Sequence, residues 1–267
     1  MQIPLSVYAN FAHPRLRMRM LHSANERIEK VAEYAHSLNA FAEAKAKCDI
    51  TDDHFSANAP QFAHAIQTIS SEIGDRPLRY LEIGCFEGLS LVFAALLTDG
   101  NCELTAADLF LGSEDGFGTY GKRFTNNMRL FGLTEKLQIL RGASQSTLPS
   151  LSSSGAKFDV IFIDGAHSAL EVMIDACNSW KMLEPGGLLI FDDYLWELAE
   201  KYWEYVEDYW DIPKNAVDRF IDLVGDDCEI FDAYYQVILR KSPNSRVLQQ
   251  NTAELSFVEE VRLARLE

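Results

Sequence analysis

The chain has 267 residues, 48% of them hydrophobic, and its 40 acidic and 24 basic side chains give a net charge of −16. This length suits one α/β domain with a helical extension and permits a large core. The acidic balance disfavours a nucleic acid or an acidic membrane surface as partner, because phosphates bind basic surfaces. We therefore expect a small-molecule substrate and neither a nucleic-acid nor a membrane partner, and we leave a homodimer open.

The cysteines and the apolar runs indicate the cellular compartment of the protein. The five cysteines are scattered without a C-x-x-C pair, which is typical of a reduced, intracellular protein rather than of a disulfide framework or a zinc site. No apolar run approaches the ~20 residues of a membrane helix, and the first residues lack the apolar core of a signal peptide. The prediction is a cytoplasmic protein.

The first 75 residues are predicted to form a helical extension. The sequence Ser23-Ala24-Asn25-Glu26 has the form of a capping box and predicts a long helix from Ala24 to about Lys47. A second helix is predicted from Pro60 to Ile73. Residues 51–56 connect the two helices as a polar segment with one phenylalanine. They form either a helix cap with a packed ring or a lid over a ligand.

From residue 78 onward, apolar runs alternate with helical stretches, which predicts a doubly wound, Rossmann-like α/β domain over residues 76–242. Strands are expected near 79–83, 103–107, 136–141, 157–163, 186–191, 228–232 and 235–240. The last two lie too close together for a helical crossover, so one of them must run antiparallel to its neighbour. Residues 243–267 are predicted to form a C-terminal region with an amphipathic helix at 252–266.

The chain is organised around a glycine turn. A short apolar strand ending at Ile83 is followed by a turn between Gly84 and Gly88, which also contains Cys85 and Phe86, and then by an apolar helix. This layout lets the backbone approach a ligand at a helix N-terminus. The middle glycine of a dinucleotide fingerprint and the lysine of a P-loop are both absent. Glu82, just before the turn, suits a ligand with a positive charge.

Three motifs carry a resemblance to a known family: E-I-G-C-F-E-G at 82–88, I-D-G-A-H at 163–167 and F-D-D-Y at 191–194. They resemble the class I S-adenosylmethionine-dependent methyltransferases, in particular a bacterial subgroup related to catechol-type and sugar O-methyltransferases. The resemblance extends over about residues 53–241. It implies a seven-stranded sheet of order 3-2-1-4-5-7-6 with the last strand antiparallel, and S-adenosylmethionine as the cofactor.

The predicted cofactor site lies at the tips of the first strands. Asp108 ends the second strand about 26 residues after Glu82, and its two oxygens suit the two hydroxyls of a ribose. The resemblance implies an adenine contact at Ala143 and Ser144, although Ser144 is equally suited to cap a helix. The predicted cofactor-binding residues are Glu82, Gly84, Cys85, Phe86, Gly88, Asp108, Ala143, Ser144 and Asp164.

Three carboxylates are predicted to converge at the tips of strands 4 and 5. They are Asp164, Asp192 and Asp193. Clustered acids repel one another unless a cation lies among them, and oxygen ligands favour a hard ion such as Mg²⁺. The 28-residue gap from Asp164 to Asp192 matches the catechol-type enzymes, in which the corresponding acids hold Mg²⁺. The other interpretation is that these acids cap helices and bind the adenosyl group without a metal.

His167 is the only one of six histidines that lies inside a motif, three residues after Asp164. A histidine side chain can take up a proton near neutral pH. Similar macrolide-sugar O-methyltransferases carry a histidine at this place as a base. His167 and Asp164 are therefore the predicted catalytic residues, with a merely structural histidine as the alternative. Of the aromatic residues at 194–210, Tyr194 and Trp196 are candidates for a substrate wall and the rest for the core.

These features together predict an S-adenosylmethionine-dependent O-methyltransferase that acts on a hydroxyl of a sugar, glycoside or polyphenol with help from Mg²⁺. The competing hypothesis is a protein of the same fold with another role. That role would be either cephalosporin-hydroxylase-like chemistry or S-adenosylmethionine binding without catalysis, because a fold does not fix a function.

Overall fold

The computed structural model describes residues 12–29, 35–110, 118–196 and 211–247. The strands within these ranges are β1 (Leu78–Ile83), β2 (Cys102–Asp108), β3 (Leu137–Arg141), β4 (Phe158–Ile163), β5 (Leu183–Phe191), β6 (Cys228–Ala233) and β7 (Val237–Lys241). They form one sheet of order β3-β2-β1-β4-β5-β7-β6. Strands β1 to β5 are parallel, and β7 runs antiparallel to both β5 and β6. The predicted Rossmann-like sheet and its strand order are confirmed.

Helices cover both faces of this sheet. The described helices are α1 (Pro14–Glu29), α2 (Ala35–Lys47), α3 (Ala59–Ile73), α4 (Leu89–Leu97), α5 (Thr119–Leu130), α6 (Ser144–Ser153), α7 (Ala169–Met182) and α8 (Pro213–Val224). Short 3₁₀ turns precede β3 and β6. None of the described helices combines the length and apolar composition that a membrane-spanning helix requires.

The central strands are buried on both faces, which explains their continuous apolar sequences. Every residue of β4 is buried. On β1, Tyr80 packs into one core with the phenylalanines of α3 and α4, while Leu81 packs into a second core with Trp180 and Phe220. The alternation of side chains along a strand therefore divides the interior into two cores, one on each side of the sheet.

The N-terminal helices differ from the prediction. The predicted start at Ala24 is wrong, because α1 already starts at Pro14, and residues 30–34 between α1 and α2 lie outside the described residues. The predicted capping box at 23–26 therefore lies inside α1. Proline favours the first turn of a helix, where its missing N–H is not needed and its φ is already helical. Helix α3 matches the second predicted helix to within one residue.

Helix α1 is attached to the far end of the sheet. The Arg15 guanidinium donates hydrogen bonds to the carbonyls of Gly225 (2.6 Å) and Cys228 (2.7 Å), at the start of β6. The predicted C-terminal helix at 252–266 and the aromatic residues at 202–210 lie outside the described residues.

Candidate active site

The glycine turn packs directly against the loop that follows β4. Gly84 and Gly88 both have a φ of +84°, a left-handed conformation that favours glycine. A Cβ atom on Gly84 would lie 2.1 Å from the carbonyl oxygen of Asp164, and one on Gly88 would lie 2.6 Å from Met128 Cε. The turn therefore requires glycine at both positions, and it brings the tip of β1 into backbone contact with the predicted acid cluster.

Glu82 is fully buried at the end of β1. The Tyr80 hydroxyl donates a hydrogen bond to its Oε2 (2.5 Å), and the Ser90 hydroxyl donates one to its Oε1 (2.6 Å). Burial raises the pKa of Glu82 to about 8, although these two hydrogen bonds oppose the shift. Both oxygens bind groups of the protein itself and connect β1 to α4. A direct contact between Glu82 and the cofactor stays a prediction.

Asp108 holds the glycine turn in place. Its Oδ2 accepts hydrogen bonds from the backbone N–H groups of Cys85 (2.6 Å) and Phe86 (3.0 Å), and its Oδ1 accepts one from Phe110 N–H (2.6 Å). Phe86 and Phe110 have φ values of +46° and +48°, which are strained for residues with a side chain. The acid lies beside the turn, as expected, and its ribose contact stays a prediction.

The loop after β3 joins the same edge of the sheet. The N–H of Gly142 donates a hydrogen bond to the carbonyl of Asp108 at 3.0 Å. Ala143 occupies the N-cap position of α6, and Ser144 is the first helical residue. The alternative in which Ser144 caps this helix is therefore wrong. The adenine contact of Ala143 and Ser144 stays a prediction.

Two of the three predicted metal ligands lie together. In the described part of the chain, one group of histidine, cysteine and acidic residues has ligand atoms all within 4.8 Å of one another, and it consists of Asp164, His167 and Asp193. Asp192 Oδ1 instead accepts hydrogen bonds from Asn58 Nδ2 and from the N–H of Asp193, both at 3.0 Å. The observed cluster thus contains His167 where the prediction has Asp192, and the role of Asp192 as a ligand stays a prediction.

The pKa values of two acidic residues at the carboxyl ends of β4 and β5 are raised by burial and by neighbouring acids. Burial, followed by the charges of Asp192 and Asp193, raises the pKa of Asp164 well above its usual range. Burial, followed by the charge of Asp193, likewise raises the pKa of Asp192. These carboxyl groups therefore favour their neutral form as they stand, and a cation bound among them would favour the charged form.

His167 is hydrogen-bonded to Asp193 rather than isolated. Its Nε2 lies 3.0 Å from Asp193 Oδ2, and its side chain is 48% exposed. The hydrogen bond and charge of Asp193 raise the pKa of His167, while partial burial opposes this rise. The Trp196 ring lies 4.9 Å from the imidazole, so this residue is placed near the site. The imidazole thus combines a fixed orientation with access to a ligand.

Sequence reasoning did not find some residues of this site. The hydroxyl of Tyr235, in the turn between β6 and β7, donates a hydrogen bond to Asp193 Oδ1 at 2.7 Å. Tyr194 is fully buried, and its hydroxyl donates a hydrogen bond to Asp218 Oδ1 at 2.8 Å. Tyr194 is therefore a core residue, and the interpretation as a substrate wall is wrong for it.

The connection between α2 and α3 runs across the tips of the strands. The backbone N–H and hydroxyl of Thr51 donate hydrogen bonds to the buried carboxylate of Glu87, at 2.6 and 3.0 Å. The His54 ring lies 5.9 Å from that of Phe86 in the glycine turn. Asn58, at the other end of the connection, binds Asp192. Phe55 is buried in the core, and Asp53 Oδ1 accepts hydrogen bonds from the N–H groups of Phe55 and Ser56, so the packed ring of the simpler interpretation is present, and the lid stays a prediction.

Comparison with known proteins shows what the central part of the chain is similar to. Residues 81–194 match a family model described as a methyltransferase domain. This range starts inside β1 and ends after β5, and it contains all the predicted cofactor and acidic residues. Residues 81–194 are thus similar to a methyltransferase domain. The recognition made from the three motifs is confirmed.

Relatives of this methyltransferase domain share its sequence or its fold. O-methyltransferase hkm8 of Aspergillus hancockii is 28% identical over 180 residues, which cover 65% of this chain and 68% of that protein. The O-methyltransferase TomG of Streptomyces achromogenes, solved with SAM, has a TM-score of 0.54 at 18% identity over 77% of this chain and 89% of that one. MycE of the mycinamycin pathway, solved with Mg and SAH, has a TM-score of 0.56 at 13% identity over 79% and 55%. The last two similarities show the fold alone.

Proposed function

We propose that this protein transfers a methyl group from S-adenosylmethionine to a hydroxyl of a small molecule, such as a sugar, a glycoside or a polyphenol. The observation that carries the proposal is the position of the His167–Asp193 pair. It stands at the same edge of the sheet as the glycine turn, so a base lies beside the place where a cofactor would bind. The similarity to an O-methyltransferase and the net charge of −16 support a small acceptor.

The cofactor would bind across the tips of β1 and β2, since ligands of open α/β sheets bind outside the carboxyl ends of the strands. Glycine at 84 and 88 leaves room for the backbone to approach the ligand. Asp108 would accept hydrogen bonds from the ribose hydroxyls while it holds the turn.

The chemistry is one in-line displacement. A bond forms between the acceptor oxygen and the methyl carbon as the bond from that carbon to the sulfonium breaks, which leaves a neutral thioether. Binding of both reactants at one edge of the sheet supplies their orientation. The imidazole of His167 takes the proton of the acceptor hydroxyl, and the carboxylate of Asp193 stabilises the imidazolium that results.

The donor set also fits a divalent cation, and we include Mg²⁺ in the proposal. The carboxylates of Asp164 and Asp193 would hold the ion, with Asp192 adjacent, and hard oxygen ligands of this kind suit Mg²⁺. When bound, such an ion lowers the pKa of an acceptor hydroxyl. The proximity of ligand atoms from Asp164, His167 and Asp193, all within 4.8 Å of one another, supports this part of the proposal.

A turnover assay tests the function. Purified protein is incubated with S-adenosylmethionine and a panel of catechols and glycosides, and S-adenosylhomocysteine and methylated products are measured by mass spectrometry. We expect both products to appear with at least one acceptor class. Tight binding of S-adenosylmethionine without release of S-adenosylhomocysteine would favour a non-catalytic binding protein. Oxidation of an acceptor would favour the hydroxylase-like alternative.

A further inference from the structure

We propose that Tyr235 is a positioning residue of the proposed methyl transfer, on which this inference rests. Its hydroxyl fixes the carboxylate of Asp193, and that carboxylate fixes the imidazole of His167. Tyr235 lies outside the three sequence motifs and outside the matched methyltransferase range of 81–194. It reaches the site from the last hairpin of the sheet.

The contacts form one continuous chain. Tyr235 Oη donates a hydrogen bond to Asp193 Oδ1 at 2.7 Å, and Asp193 Oδ2 lies 3.0 Å from His167 Nε2. Each carboxylate oxygen thus has its own partner on the opposite side of the group. Rotation of the carboxylate would break both contacts together, so the hydroxyl of Tyr235 restricts the group that orients the imidazole.

The register of the sheet explains why these residues meet. Strand β7 pairs antiparallel with β5, with Phe191 opposite Val237. Asp193 follows Phe191 by two residues, and Tyr235 precedes Val237 by two. If the same pairing continues, Asp193 lies opposite Tyr235. The backbone contact itself is shifted by one residue from this register, because the N–H of Tyr194 donates a hydrogen bond to the carbonyl of Tyr235 at 3.0 Å. Tyr235 therefore holds the segment after β5 through both its backbone and its side chain.

Both sides of this contact are fixed by further bonds. Asp193 has a φ of +58°, an unfavourable conformation for aspartate that surrounding contacts must maintain. Its N–H donates to Asp192 Oδ1, and its carbonyl accepts from the N–H of Trp196, both at 3.0 Å. On the hairpin side, Gln61 Nε2 donates to the carbonyl of Gln236 at 3.1 Å. The turn between β6 and β7 that carries Tyr235 is thus held by a hydrogen bond from α3.

This arrangement determines which ring nitrogen of His167 carries the proton in the neutral imidazole. In the neutral ring one nitrogen carries the proton and the other accepts one. Because Nε2 faces a carboxylate, the proton of the neutral ring resides on Nε2, and Nδ1 keeps the lone pair. Nδ1 is then the atom that takes the proton of the acceptor. If Asp193 is free to rotate, the ring exchanges between two tautomers and the productive one is less populated.

Tyr235→Phe removes only the hydroxyl, and Tyr234→Phe in the same turn is its matched control. We expect kcat of Tyr235→Phe to fall about 10- to 100-fold, as for other partners that orient a functional histidine or ligand, with KM for S-adenosylmethionine unchanged. We expect the ¹⁵N spectrum of labelled histidine, with His167 assigned by its loss in His167→Gln, to show the Nε2–H tautomer in the wild type and a mixture in Tyr235→Phe. Tyr234→Phe should match the wild type in both.

A mutant cycle separates positioning from a general structural effect. If Tyr235 acts through Asp193, Tyr235→Phe should have little further effect in an Asp193→Asn background. An equal loss of kcat in both backgrounds would overturn the proposal, and so would a wild-type kcat with an unchanged His167 spectrum. If the wild type transfers no methyl group to any acceptor, the proposed function fails, and the tautomer comparison still decides whether Tyr235 positions His167.

Discussion

Gly84 and Asp164 meet through their backbones, with so little space between them that a Cβ atom on Gly84 would stand 2.1 Å from the Asp164 carbonyl oxygen. The N–H of Asp164 also donates a hydrogen bond to the carbonyl of Ile83 at 2.8 Å. The turn proposed to bind the cofactor and the loop that carries the proposed catalytic residues are therefore fixed to each other. Methyl transfer requires such a fixed separation, because its rate depends on how the two reactants are held.

Replacement of Gly84 by alanine tests this contact. Gly186→Ala is a matched control, since Gly186 has the same φ of +84° but a Cβ atom added there would meet no other atom within 4 Å. A side chain at positive φ costs roughly 1–3 kcal/mol at either position. Gly84→Ala should lose more stability than Gly186→Ala in urea unfolding, and it should also lose affinity for S-adenosylmethionine. Equal losses in the two variants would contradict the close contact.

The sequence alone predicts the strands of the sheet and most acidic residues at their carboxyl ends. Each strand of the domain is predicted to within a few residues, and for the buried parallel strands the reason is their continuous apolar sequence. Residues such as Asp108 and Asp164 directly follow a strand, and the carboxyl ends of parallel strands share one edge. Their proximity therefore follows from the topology, and the topology follows from the family resemblance.

The remaining features depend on information that local patterns do not contain. Tyr235 reaches Asp193 through the antiparallel register of β5 and β7, which is set by pairing over about 40 residues of chain. Asn58 reaches Asp192 from an N-terminal helix in the same non-local way. The predicted start of the first helix is wrong because the sequence at 23–26 has the form of a helix start, while Pro14 provides the actual one.

Asp108→Ala tests the cofactor site. The change removes the acceptor of the Cys85 and Phe86 N–H groups together with the proposed ribose contact. We expect S-adenosylmethionine to bind more weakly by roughly 1–3 kcal/mol, or about 5- to 150-fold. Calorimetric titration measures this, with Glu103→Ala at the exposed opposite end of β2 as the control. Unchanged affinity in Asp108→Ala would rule out the assignment.

The buried acid Asp175 should make stability depend on pH. It is 1% exposed on α7, and burial raises its pKa from 3.8 to about 6, although the Ser144 hydroxyl opposes this shift. The folded state then holds the proton more tightly than the unfolded state, so the contribution of Asp175 is favourable at low pH and is lost as the pH rises through about 6. Asp175→Asn should therefore stabilise the protein by roughly 2–3 kcal/mol near pH 8.

Urea unfolding of both proteins at several pH values checks this prediction. The difference between Asp175→Asn and the wild type should shrink as the pH falls below about 6 and vanish below about pH 3, where the carboxyl group is protonated in both states. A stabilisation that is the same at about pH 4 and pH 8 would show that the ionisation of Asp175 is not its cause.

Removal of divalent cations tests the proposed metal. Excess chelator should abolish turnover and added Mg²⁺ should restore it, because without an ion at Asp164 and Asp193 the pKa of the acceptor hydroxyl would no longer be lowered. Asp164→Asn and Asp193→Asn should each weaken binding of Mn²⁺ as a probe ion, whereas Asp226→Asn in the exposed turn before β6 should not. Full activity in excess chelator, with metal content verified by elemental analysis, would leave a metal-independent transferase.

The central claim is that His167 takes the proton of an acceptor hydroxyl during methyl transfer from S-adenosylmethionine. Single-turnover transfer from preloaded, methyl-labelled S-adenosylmethionine tests it most directly, because the chemical step is observed apart from cofactor binding and product release. A general base contributes about 10²- to 10⁴-fold, so His167→Gln should slow the step by that factor while cofactor affinity stays near that of the wild type. Since Asp193 raises the pKa of His167 above 6.5, the wild-type rate should increase with pH through a midpoint above that value. A glutamine variant that transfers methyl at the wild-type rate from about pH 6 to pH 9 would contradict the claim.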